Sequence, residues 1–566
     1  MRLICWIGLL TFVFAACKAD RSTPGKATPP GQAASSASAP REVHLRVAAS
    51  SEKKEWIENA TRSFAESHPK TTSGKPIVVD LTISGSGELE ADIVAGKLKP
   101  AVFSPASSAY VALLNDAWLQ QPTAAANAAP KPIAPRSEPL VLSPVVIAMW
   151  KPMAEALGWP RKELGWADIL RVSKNPRGWA GYGHPEWGAF KLGHTHPESS
   201  NSGLLAVIAE AYAATGKTRG MTDADLASAK TKPFMAAIEG SIVHYGKSTA
   251  LFTDKMIERG PAYMSAAVSY ENLVIESYSK TPPMPLVAIY PVEGTFWSDH
   301  PYAVLDAPWV GAEEQAAAAA YLAFLKAKPQ QQHALALGFR PADRELAISG
   351  PVDQAHGVDP KQPQTLLDVP TGEVLTHLLA LWRDTKKTAD VVVVFDRSAS
   401  MQGRPLSEAK TGAAAFLNGL GDRDGASIAF FNHRVPPISA PIALGTNRAS
   451  LLAAIDTTFA DGGTALYDAI AASYDMMLAH AKQHPNRIHA LVVMTDGRDE
   501  NSKRGVEQLS AKFRAEDAPV KIFTIAYGSK ADPRVLDDIA RAAQGTSVKG
   551  SAETIVEVYR DLSAFF

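Results

Sequence analysis

VVVVFDRSASMQGRPL, residues 391–406, runs four valines and a phenylalanine straight into an acid. A run this apolar reads as a strand covered on both faces, the habit of a parallel sheet with helices on either side. Asp396 closes the strand, and Ser398 and Ser400 follow at alternate positions. Alternate residues of an extended segment share a side, so both hydroxyls fall together next to the acid. A buried carboxylate is costly unless something pairs with it, and the pairing group has to be sought in the rest of the chain.

Downstream, LSEAKTGAAAFLNGL reads as a helix, ASIAFF (426–431) as a strand, ISAPIAL (438–444) as a third strand and LLAAIDTTF as a short helix. The stretch from Asp461 to Asp468, DGGTALYD, opens a helix that runs to about residue 482. HALVVMTDG (489–497) is a second apolar strand ending in acid, and VKIFTIAYG (520–528) and two helices complete the pattern. Strands alternating with helices give an α/β, doubly wound, mostly parallel sheet. In such a sheet the loops after the strands converge on one edge. Asp396, Ser398, Ser400, Thr464 and Asp496 are therefore expected to gather there, two carboxylates and three hydroxyls. An all-oxygen set suits a hard divalent cation, and the cation would offset the desolvation of the two acids.

DxSxS, GGTALYDA and VVMTDG, in that order and each on its expected element, resemble the metal-ion-dependent adhesion site of von Willebrand factor type A (VWA) domains. The resemblance covers about 388 to 566. It implies that Ser398, Ser400 and Thr464 touch the metal, that Asp396 and Asp496 act directly or through water, and that Asp461 and Asp468 stand further out. It also implies Mg²⁺ (or Mn²⁺ or Ca²⁺) as the ion, and a protein partner that presents an acidic side chain to it. Ala399 stands where bacterial relatives usually have glycine; were a positive φ needed there, alanine would cost stability.

Upstream of a proline-bearing linker and a connecting helix (351–387), residues 43–350 repeat strand, hydroxyl-rich loop and helix. VHLRVAAS ends at Ser50-Ser51, PIVVDLTI leads into Ser84-Gly85-Ser86-Gly87, and PAVFS leads into Ser107-Ser108. AASSEKKEW, SGSGELEADIVAGKLKPAVFSPASSAYVALL, VLSPVVIAMWK, GHTHPESSNSGL and YPVEGTFWSDHPYAVL together resemble type 2 extracellular solute-binding proteins, nearest the molybdate and sulfate binders. The resemblance implies two lobes with a ligand, a small anion or other solute, between them. It places Ser50 and Ser86 on the first lobe, and Ser202 (within Ser199 to Gly203) and Tyr270 on the second. Ala101 replaces an acid that relatives often carry.

MRLICWIGLLTFVFAAC has the charge, the short apolar run and the small residues of a signal peptide (1–16). Phe14-Ala15-Ala16-Cys17 resembles the lipobox of bacterial lipoproteins, which makes Cys17 the lipidated residue. Residues 17–42 are rich in Pro, Ala, Ser and Gly and read as a disordered tether. The place implied is the cell envelope, lipid-anchored and facing outward from the cytoplasm, on the outer membrane if the cell has one. Cys5 leaves with the signal, so no disulfide is expected. The 566-residue chain has net charge −1 and no basic run, so nucleic acid is not expected as a partner.

Other motifs carry less. His184, His194 and His196 sit in one loop and could suggest zinc, and ATGKT (214–218) ends like a phosphate loop. Yet the first glycine of that loop is missing and a helix precedes it, so Gly216 reads as a helix cap. No nucleophile, base and orienting group fall on converging loops, so the chain reads as a binding protein and not an enzyme. The alternatives are the substrate-binding component of an ABC-type transport system and a metal-dependent enzyme.

Overall fold

The valine run becomes the strand Ala389–Asp396, buried along its whole length. Its residues divide by parity, as a period of two requires. Val391, Val393 and Phe395 enter one core with Phe416 and Tyr559. Val392 and Val394 enter another with Ile470 and Tyr474 on the opposite face. Helices thus cover both sides of a six-stranded sheet ordered Ile442–Ala443, Gly425–Phe431, Ala389–Asp396, Ile488–Thr495, Val520–Tyr527, Ser547–Gly550. Every pairing is parallel except that of Ile442–Ala443. The chain moves from Ala389–Asp396 to its neighbour on one side, then returns to pair on the other. That reversal opens a crevice at the carboxyl ends, beside Asp396.

These features come from a computed structural model that describes residues 42–121, 131–343, 345–515, 519–528, 530–551, 554–563 and 565–566. The signal segment, Cys17 and the tether up to residue 41 lie outside the described residues. Among those described, no helix is long and apolar enough to cross a membrane.

The N-terminal region has two lobes. In the first, Val43–Ser50 pairs in parallel with Ile77–Ser84 and Val102–Ser104, and Pro301–Val304 returns antiparallel. In the second, Val141–Trp150 pairs antiparallel with Ala266–Tyr270 and Leu286–Ile289, and Leu192–Thr195 and Ile242–Gly246 extend the sheet. The chain crosses between lobes near residue 140 and again between Trp297–Ser298 and Pro301–Val304.

The segment 372–387 forms the helix Gly372–Thr385. Thr371 caps it through the amide of Val374. Val374, Leu375, Leu378, Leu379 and Trp382 make its buried stripe, spaced as an amphipathic helix demands. That stripe packs against Ser108–Leu119 of the first lobe and Asn201–Thr215 of the second. Gly216 ends the latter helix with φ of 71°, as a helix cap does.

Candidate functional site

The loops after Ala389–Asp396 and Ile488–Thr495 and the start of the helix Leu466–Gln483 meet at the crevice. Asp396 is fully buried and Asp496 nearly so. The Ser398 amide donates to Asp396 Oδ1 at 2.8 Å, and Thr495 Oγ1 donates to Asp396 Oδ2 at 2.5 Å. The Ser398 and Ser400 hydroxyls lie 2.9 Å apart, and Ser400 Oγ donates to Asp496 Oδ1 at 2.6 Å. Thr464 joins Ser398 and Ser400 in the wall of a cavity of about 480 Å³ that Glu500 and Lys530 also line. All five expected oxygen donors therefore come together.

Local sequence explains the convergence. Gly462 has a φ of +72°, and a Cβ there would lie 2.1 Å from His433 Nδ1, so only glycine passes. Its carbonyl accepts the Ala399 amide at 2.8 Å, tying the DxSxS loop to the Thr464 loop. Ala399 is absent from the non-glycine residues of positive φ. Alanine in place of glycine therefore carries no backbone strain here.

Burial raises the Asp396 carboxyl to about 6, against the opposing hydrogen bonds from Thr495 and Ser398. Burial also raises Asp496, while Ser400 and the charge of Lys530 pull it back. Among the described residues no Lys, Arg or His comes within 4.0 Å of either carboxylate. Two buried acids, linked through the paired Ser398 and Ser400 hydroxyls and with no bonded cation among the described residues, form a donor set that fits a hard divalent ion. Asp461 and Asp468 stand outside this ring: Asp461 pairs with Asn432 and Arg397, and Asp468 accepts from the Lys503 amide.

Three supporting residues lie outside the positions the sequence motifs single out. Thr495 bonds Asp396, Asn501 accepts the Thr464 amide at 2.9 Å, and Asp499 accepts the Tyr467 amide at 3.2 Å. Thr495 was findable, since it immediately precedes Asp496 and lies across the sheet from Asp396. The other two depend on how the 497–502 loop folds back, which no pattern encodes.

The four interlobe residues also converge, but their hydroxyls are engaged inside the protein. Ser50 Oγ accepts from Lys53 Nζ at 2.7 Å, and Ser86 Oγ accepts from the Ala106 amide at 3.0 Å. Ser202 bonds Thr195 and Thr249, and Tyr270 accepts from Asn201 Nδ2 at 2.8 Å. Asn201 in turn receives Ser107 from the other lobe at 2.5 Å, and the Gly87 amide donates to the Ser199 carbonyl at 3.1 Å. The lobes are closed on each other. Burial lowers Lys53 to about 7 and raises its neighbour Glu52.

The three histidines do not share a ligand. His184 stacks on Trp187, His194 bonds Glu239 at 3.0 Å, and His196 packs on Trp382.

A family model described as a bacterial extracellular solute-binding protein matches residues 45–340, and one for the von Willebrand factor type A domain matches residues 390–558. An uncharacterised protein of Mycobacterium tuberculosis (strain CDC 1551 / Oshkosh) is 23% identical over 458 residues, 75% of this chain and 64% of its own length. An uncharacterised protein of Synechocystis sp. is 28% identical over 163 residues, 29% of this chain and 38% of its own. This chain thus spans less than two thirds of either relative. Among solved structures, the fructose-6-phosphate-bound periplasmic binding protein AfuA from Actinobacillus pleuropneumoniae aligns at 15% identity with a TM-score of 0.43, over 60% of this chain and 98% of that one.

Proposed function

The chain belongs to the bacterial extracellular solute-binding proteins and carries a von Willebrand factor type A domain, and we propose that it captures a protein partner outside the cytoplasm through a divalent ion held by that domain. A lipid on Cys17 would anchor it to the membrane. The carrying observation is the crevice where Asp396, Ser398, Ser400 and Asp496 form one hydrogen-bonded run beside Thr464. These five side chains would hold Mg²⁺ or Mn²⁺, and the ion would supply an open position for an acidic group of the partner. The chain's own residues do the rest: Thr495 and the Ser398 amide fix the Asp396 carboxylate, and Asn501 fixes the Thr464 backbone.

Calorimetry on the full chain tests the reading. Mg²⁺ or Mn²⁺ should bind at one site, and Asp396→Ala should lose it. Thr464→Ala should keep the fold and weaken capture of envelope proteins that elute with EDTA. No heat of binding at millimolar metal, with the C-terminal domain folded, would reject the proposal.

A second reading, delivery of a small solute to a transporter, is favoured by the family of the N-terminal region. It requires the lobes to open first, because Lys53, Asn201 and Ser107 occupy the surface where a ligand would sit.

A further inference from the structure

At the end of the C-terminal sheet opposite the metal crevice, the amino ends of Ile488–Thr495 and Val520–Tyr527 face the second lobe across a cavity of about 630 Å³. Its walls carry Lys191 from the lobe and Lys387, Lys482, Arg487 and Lys521 from the C-terminal side, and no aspartate or glutamate. Arg487 is neutralised by Asp390, whose carboxylate lies 2.8 Å from its Nε. Lys191 meets a neutral acceptor, the Ala262 carbonyl, at 2.7 Å. Among the described residues no carboxylate lies within 4.0 Å of Lys191, Lys387 or Lys482. The Lys521 ammonium lies 5.5 Å from the centre of the Tyr263 ring, and the Arg259 guanidinium 5.2 Å from the same ring.

Cations collected in a half-dry cavity repel one another more strongly than in water. Burial, and then the charges of Lys191, Arg259 and Lys387, hold the Lys521 amine well below its usual range; burial alone lowers Lys387. A multiply charged anion would relieve this repulsion, and primary ammonium groups are suited to phosphate oxygens as point charges. The volume lies within the ~300–1,000 Å³ of small-molecule sites, larger than a lone inorganic ion needs.

We propose that the cavity between the second lobe and the C-terminal domain is a binding site for a phosphate-bearing small molecule, held by Lys191, Lys387 and Lys521. The site is separate from the interlobe surface and from the metal crevice. Because its walls come from both sides of the junction, the bound anion braces one against the other.

Melting curves of the full chain in EDTA, so that no divalent ion contributes, test this with inorganic pyrophosphate, glycerol phosphate and potassium chloride at matched ionic strength. Vesicles of phosphatidylglycerol, against phosphatidylcholine, form a separate arm. Pyrophosphate or glycerol phosphate should raise the melting temperature saturably above the chloride control. Lys387→Gln, on the half-buried wall, should weaken that response at least tenfold and raise the melting temperature without anion, since it removes one repelling charge. Sedimentation with the anionic vesicles alone, lost in Lys387→Gln, assigns the phosphate to a lipid headgroup. Absence of any response beyond chloride and of vesicle binding, or an equal response in Lys387→Gln, overturns the proposal.

Discussion

His196 illustrates how far a single residue's role depends on what folds around it. In sequence it is half of a His-x-His pair that suggests zinc. In the structure its ring stands edge-on to Trp382, with centroids 4.8 Å apart, and Nδ1 accepts the Glu198 amide. Burial, then the charges of Lys386, His194 and Arg383, lower its pKa to about 3. The unfolded chain, with an ordinary histidine near 6.5, therefore takes up this proton first as the pH falls. The stability tied to neutral His196 is present above about 6.5 and drains away between there and about 3, by up to roughly 1.4 kcal/mol per pH unit. Wild type should accordingly lose more melting temperature between pH 7.5 and pH 5.0 than His196→Phe, which keeps an aromatic ring against Trp382. Parallel pH profiles would show that His196 is not the titrating group. The contrast with Asp396 is instructive about legibility. Asp396, Ser398, Ser400, Thr464 and Asp496 could be placed from sequence because each lies at or just after the carboxyl end of a strand or just before a helix, so topology brings them together; Ser398 and Ser400 meet around a short 3₁₀ turn over Ala399–Met401 and not along the extended segment their alternate spacing suggests. Lys53 could not be foreseen against Ser50, because its buried position depends on the Ser104 and Pro105 carbonyls at a distant strand end.

Among elements, long periodic segments were readable and short edge pieces were not. The connecting helix was expected over 372–387 and runs Gly372–Thr385; its cap and apolar stripe are both local. The strand expected over 438–444 shrinks to Ile442–Ala443, since a sheet edge needs only two residues of pairing. Ser547–Gly550 carries no strand signal in the sequence, because four residues including Ser, Lys and Gly have no apolar period. What sequence did not tell is which surfaces the connecting helix would join. It touches both lobes, and a Cβ on Gly372 would lie 2.7 Å from Cβ of Asp116 on the first lobe. On the second lobe His377 meets Asp223 at 2.8 Å, and Arg383 meets Glu198. The helix therefore fastens the closed lobes together. Gly372→Leu should push its start off the first lobe at a cost of about 1–3 kcal/mol, the usual range for overpacking. Hydrogen exchange at the Gly87 amide, which bonds Ser199 across the lobes, should then speed up by tenfold or more. Unchanged exchange in a folded variant would mean that the lobes hold closed without the helix.

For the whole molecule, the question is whether the solute-binding-like region and the VWA domain behave as two bodies. Domains within a chain usually meet through modest, polar interfaces and move independently. Here the described residues from Glu42 on make a single compact unit, and one apolar core runs without a break through Trp150 and Leu204 of the second lobe, Trp382 of the connecting helix, and Phe523 and Phe566 of the C-terminal domain. Polar contacts reinforce it. The Tyr245 amide donates to the Phe565 carbonyl at 3.3 Å, Arg259 donates to the Gly545 carbonyl, and buried Lys386 donates to the Phe566 carbonyl and to Asp424 Oδ2, the latter at 3.0 Å. A shared core couples the unfolding of its two sides, because exposing one strips apolar surface from the other. Scanning calorimetry of the full chain should therefore give one transition, with van't Hoff and calorimetric enthalpies nearly equal. Lys386→Met removes both buried bonds and leaves Asp424 without its cation, a change of the kind that costs about 3–5 kcal/mol when one partner of a buried pair is lost. It should lower the melting temperature and begin to split the peak into two. If wild type already melts in two well-separated steps, the junction is a contact between independent bodies, and a partner bound at the crevice beside Asp396 would have no route through this core to the lobes.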